Sequence, residues 1–109
     1  MALDYKILGQ SVPAANTYTD LYTVPAGKQA IVSTLNVCNV SSSNVTFRVA
    51  ARRSGATLTP AQFIAFDTPL QLQDSLGLTL GLTLANTDVI TVMSVQGNVT
   101  FNLFGTEIS

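Results

Sequence analysis

The sequence predicts an all-β protein: an antiparallel, jelly-roll-like β-sandwich of about eight strands, with residues 1–109 forming a single domain. Three observations predict it. Apolar and polar residues alternate with a period of two along the chain, and helical periodicity is absent. Clusters of Pro, Gly, Asn, Asp and Ser separate the alternating runs, and none is long enough to be a linker. At 109 residues the chain buries roughly 65% of its unfolded surface, which allows one core and no second domain.

In chain order, Tyr5 to Gln10 and Asp20 to Val24 are the first two strands, separated by the turn signals from Val12 to Asn16. In Val24-Pro25-Ala26-Gly27-Lys28, Pro25 presets the first turn position and Gly27 supplies a left-handed residue, so a hairpin onto Gln29 to Asn39 is expected. Strict alternation along that third strand puts Ile31, Ser33, Leu35, Val37 and Asn39 on one face and Ala30, Val32, Thr34, Asn36 and Cys38 on the other. Neither face is cleanly polar. Coverage on both sides follows, by the core on one and by another subunit on the other, and the first set is the candidate subunit interface. Lys28, at the turn, is expected to stay in water.

Val45 to Arg53 turns Val45, Phe47, Val49 and Ala51 inward and Thr46, Arg48 and Arg52 outward. Gln62 to Phe66 follows, and Asp67 to Pro69 reads as a turn. In Leu78 to Leu84, four leucines (Leu78, Leu80, Leu82 and Leu84) share a face opposite Thr79, Gly81 and Thr83. Val89 to Val95 and Val99 to Phe104 then pair across Gln96-Gly97-Asn98.

Composition excludes several functions. There is no histidine, so the usual general base, metal ligand and pH switch is missing. Asp67, Asp74 and Asp88 are the carboxylates to weigh for glycoside chemistry, but each sits beside Thr, Ser or Asn in a turn-like segment, where aspartate bonds the local backbone. They lack the alternating spacing of a calcium loop, so no catalytic residue, metal or cofactor is expected. Five basic residues against six acidic ones exclude a phosphate-binding surface, hence no nucleic-acid partner. The apolar run Leu76 to Ala85 is half the roughly 20 residues of a membrane helix, and Asp4 and Lys6 interrupt any leader, so neither a membrane span nor a secretion signal is expected. The asparagines of the three glycosylation-like triplets, Asn39, Asn44 and Asn98, read instead as turn residues at strand ends. Cys38, the single cysteine, cannot form an internal disulfide and is expected to pack as a small hydrophobe.

What remains is interaction. Only 10% of residues are charged, where soluble domains carry about 25%, and mean hydropathy is +0.37. Such a surface is expected to be covered by copies of the chain. Tyr18 and Tyr22 form the other candidate, an aromatic platform for carbohydrate.

The segment YTVPAGKQAIVSTLNVCN, Tyr22 to Asn39, resembles a recurrent module of tailed-bacteriophage virion proteins of cyanophage type. In that module an aromatic-Thr-Val-Pro-Ala-Gly-Lys turn leads into an apolar strand ending in Cys-Asn. Phe47-Arg48-Val49-Ala50, the leucine-rich strand, Ala85 to Ser94 (ANTDVITVMS) and Phe104-Gly105-Thr106-Glu107 are similar in outline. The resemblance implies a small β-sandwich in the tail, fibre, baseplate or capsid decoration of a virion assembled in the host cytoplasm. It implies a homo-oligomer, as a trimer or ring, bound to other virion proteins and without catalysis. A carbohydrate-binding, host-adhesion module is the alternative.

Overall fold

The computed structural model describes residues 2–109 and, among strand residues, every side chain except that of Leu80; the expected place of Leu80 in the leucine row lies outside the described residues. All eight expected strands form: β1 (Leu3–Ser11), β2 (Thr19–Thr23), β3 (Gln29–Asn39), β4 (Val45–Arg52), β5 (Phe63–Leu70), β6 (Ser75–Leu84), β7 (Val89–Ser94) and β8 (Val99–Ile108). They build two antiparallel four-stranded sheets, ordered β1-β8-β3-β6 and β2-β7-β4-β5. The pairs β1·β8, β2·β7, β3·β6 and β4·β5 are those of one long hairpin rolled over on itself, which is the jelly-roll arrangement.

This topology corrects the two expected hairpins. β2 and β3 lie in different sheets, as do β7 and β8, so neither pair is hydrogen-bonded. The left-handed glycine is as expected, Gly27 taking φ +80°, but Lys28 N–H donates to Pro25 C=O at 3.1 Å, so Ala26 and Gly27 are the central turn residues and Pro25 precedes them. The turn carries the chain across the sandwich and not back along one sheet. Local sequence specifies the reversal, and the choice of neighbour is made by long-range pairing. Asp67 to Pro69, expected as a turn, belongs to β5, where Asp67 at φ +50° marks an irregularity and Pro69 is tolerated because β5 is an edge strand.

A line of bulges crosses the first sheet. The β1–β8 register slips at Leu8, the β3–β8 register at Ser33, and the β3–β6 register across the same level. On β1 and β3 the single extra residue inverts side-chain parity beyond it, whereas on β6 two positions are skipped and parity is kept. Ala30 and Val32 face inward before Ser33, and Leu35, Val37 and Asn39 face inward after it, all essentially inaccessible. The strict-alternation partition of β3 is therefore wrong. Leu35, Val37 and Asn39 belong to the core and not to a subunit interface, leaving only Ile31 and Ser33 of that set outside. Gly105 permits the crease, because a Cβ there would collide with the Ile31 carbonyl oxygen.

The core lies between the sheets around Phe47 and Phe101, whose rings meet edge to face at 6.2 Å, with Leu35, Val49, Val92 and Leu103 packed about them. Val45, Phe47, Val49 and Ala51 line it from β4 as expected. Among the described residues no helix is long and apolar enough to cross a membrane.

Candidate functional site

Asp74 and Asp88 bond nearby backbone N–H groups as expected of turn aspartates, but Asp67 lies in β5 and bonds a side chain of β4. Asp74 Oδ1 accepts from Ser75 N–H at 2.8 Å. Asp88 accepts from Ser54 and Ala85 N–H, both at 2.9 Å, and Asp67 is clamped by Arg48. Among the described residues no group of three or more Cys, Asp or Glu is placed to hold a metal ion. Asn39 is buried, its amide nitrogen facing the carbonyls of Ser43, Leu70 and Gln71 while its oxygen accepts from Ser41 N–H and Oγ. It pins the β3–β4 loop to the β5–β6 turn and is closed to modification.

The outer face of the first sheet is the most distinctive surface. The strand registers place Leu3, Tyr5, Ile7 and Gln10 of β1 outward, next to Thr100, Asn102, Phe104, Thr106 and Ile108 of β8. The row continues through Ile31, Thr34, Asn36 and Cys38 of β3 to Ser75, Gly77, Thr79 and Thr83 of β6. No charged residue projects from this face among the described residues. One end is apolar: Leu3 is 50% exposed, Tyr5 76%, Ile7 52% and Ile31 42%, and Phe104 and Ile108 lie between them. The other end carries amides, with Gln10 Nε2 donating to Asn102 Oδ1 at 2.7 Å. Cys38 is a half-buried free thiol on this outer face, whereas strict alternation sets it opposite the expected interface residues.

The second sheet presents opposite chemistry. Arg48 donates from Nε and Nη2 to the two Asp67 oxygens at 2.6 and 3.0 Å, donates from Nη1 to Tyr18 Oη at 2.8 Å, and stacks 4.0 Å over the Phe66 ring. Phe66 meets Phe63 edge to face at 4.9 Å, and Phe63 lies 6.4 Å from Tyr18. Arg52 donates to Thr91 Oγ1, Asp20 Oδ1 and the carbonyls of Gly55 and Ala56. Both arginines share the outer face, as alternation predicts, yet each cation is paired. The guanidinium of Arg48 holds the Asp67 carboxyl below its ordinary pKa. These side chains help roof β7, whose six residues are all buried, including outward Thr91 and Met93.

Tyr22 does not join Tyr18. It is 8% exposed and donates from Oη to Glu107 Oε2 at 2.6 Å inside the sandwich, so the expected two-tyrosine platform does not exist. Glu107 is itself buried, and its Oε1 lacks a well-oriented hydrogen bond; it is held by Lys6 Nζ at 2.7 Å and Lys28 Nζ at 3.6 Å. Lys28 thus reaches a buried carboxylate, where the sequence suggested plain solvation. The Lys6 ammonium, then the Tyr22 hydroxyl, hold the Glu107 pKa below its usual value against the opposing effect of burial. Burial, then Glu107, push the Tyr22 phenol upward. Sequence reasoning missed this cluster, since Glu107 looks like an ordinary residue near a chain end until β1 and β3 flank β8.

Neither the protein-family models nor the curated proteins contain a match to this chain.

Proposed function

We propose that this chain is a non-enzymatic assembly module that associates with copies of itself through the outer face of the β1-β8-β3-β6 sheet. The observation that carries the reading is the absence of charge across that face, together with its exposed Leu3, Tyr5, Ile7 and Ile31. Four strands at about 4.8 Å spacing and some ten residues at about 3.3 Å rise give roughly 600 Å² in projection, near the ~800 Å² each partner contributes to a standard interface. The three weighed aspartates support the absence of catalysis, because each is already engaged in a hydrogen bond. The jelly roll serves capsid, lectin and cupin proteins alike, so the fold does not select among them. Placement in a bacteriophage virion, as a tail, fibre, baseplate or decoration component, rests on the resemblance of Tyr22 to Asn39. Antibody against the chain tests that placement: labelling of intact particles supports it, and absence of the chain from purified particles overturns it.

A second reading, adhesion to host surface polysaccharide, now rests on Tyr18 and Phe66, 41% and 54% exposed beside Asp67. Glycan-array binding lost in Tyr18→Ala would favour it. Unchanged binding, or none, would remove it.

A further inference from the structure

The two sheets have four edges, and three of them carry features that block pairing with another chain. β1 bears Asp4 and Lys6 and bulges at Leu8; β2 is five residues long and bulges at Leu21; β5 contains Pro69 and an irregularity at Asp67. Such charges, prolines, bulges and short lengths are how sheet edges avoid association. β6 differs. Its sequence SLGLTLGLTL has neither charge nor proline, and its register against β3 runs unbroken from Ser75 to Thr79. β6 ends the sheet order, so one side of it has no hydrogen-bonded neighbour strand, and a Cβ on Gly77 would meet nothing within 4 Å, so the outer face is open there as well.

The sandwich is also unfinished on this side. Leu76, Leu78 and Leu82 point toward the core yet remain partly exposed. Near the far end of β6 a cavity of about 270 Å³ opens between Leu82 and Leu84 on one sheet and Ala51 and Arg53 beside the other. An inward apolar row at an open edge lacks the next strand that would cover it.

We propose that the free edge of β6 pairs antiparallel with β6 of a second copy, through Ser75 to Thr79 about a two-fold axis at Gly77. This deepens the self-association reading above and rests on it. A two-fold contact demands a segment compatible with its own reversal. Centred on Gly77, the pairing sets Leu76 opposite Leu78 of the second copy on the core side. Ser75 meets Thr79 on the outer side, and the glycines meet at the axis. Every cross-strand pair is then like with like and none is charged, which favours a copy of this chain over a charged partner strand. The bulge near Gly81 ends the flat stretch and fixes its length.

Two variants of the full chain test this. In a Cys38→Ser background, Gly77→Cys should give a disulfide-linked dimer under mild oxidation much faster than Thr106→Cys, because facing residues of antiparallel strands lie within disulfide reach. Gly77→Lys sets two ammonium groups face to face and should weaken the dimer at least tenfold by sedimentation equilibrium, with its thermal unfolding midpoint held, whereas Thr83→Lys, on the same outer face beyond the bulge, should weaken it less; equal loss in the two overturns the edge pairing. Equal crosslinking of both cysteines, or a Gly77→Lys protein that associates like wild type, overturns the proposal. If Tyr5→Lys disperses the oligomer while Gly77→Lys does not, the sheet face stands and the edge inference fails. If the wild-type chain is monomeric throughout, both fail.

Discussion

Tyr22 donates its hydroxyl hydrogen to Glu107 Oε2 at 2.6 Å, joining β2 of one sheet to β8 of the other across the interior. The bond spans 85 positions of sequence and ties together two strands that do not pair with each other. Removing the donor leaves a buried carboxylate oxygen without it, and such a loss costs about 1–3 kcal/mol. Tyr22→Phe should therefore lower the unfolding free energy by that amount in urea titration, with an unchanged slope. A loss within error would show that water replaces the hydroxyl.

Glu107 also sets a pH dependence. Its folded pKa lies below the ordinary carboxylate value, so its contribution is complete above the unfolded value of about 4.3 and is lost as pH falls through the folded one. Asp67, lowered by Arg48, titrates in the same direction. The thermal midpoint should be level from neutral pH to about pH 5 and fall below it. Glu107→Gln should flatten part of that fall, leaving the Asp67 share. An identical acid limb in the variant would contradict the assignment.

The crease in the first sheet predicts a third effect. At Gly105 a Cβ collides with the backbone oxygen of Ile31 and lies close to the Leu8 side chain, so Gly105→Ala must push β3 and β8 apart. Overpacking of this kind costs about 1–3 kcal/mol, here toward the upper end because a backbone atom must move. Gly77→Ala, at an open position of β6, should be neutral or mildly stabilising. Equal midpoints for the two variants would show that the crease relaxes freely.

Strand existence was legible because alternation and turn residues are local signals. The inward set of β4 and the shared face of Arg48 and Arg52 were read correctly for the same reason. What alternation cannot carry is a bulge. One extra residue at Ser33 moved Leu35, Val37 and Asn39 from an expected interface into the core. Partner choice was equally hidden, since VPAGK encodes a turn and not the sheet that the next strand joins. The Tyr22–Glu107 contact joins strands far apart in sequence, and the Arg48 cluster depends on the register of β4 against β5, so spacing offered no signal for either. The low charge of the whole chain was plain in the sequence; its concentration into one uncharged face required the topology.

The proposed self-association puts another subunit over the outer face of the β1-β8-β3-β6 sheet. Tyr5, the most exposed large hydrophobic on that face, is the residue to change. Sedimentation equilibrium of wild type and Tyr5→Lys at micromolar concentration tests that coverage. The wild-type mass should be a multiple of 11.5 kDa, and Tyr5→Lys should shift toward the single-chain mass with its fold intact. A wild-type protein that sediments as one chain at every concentration would contradict it.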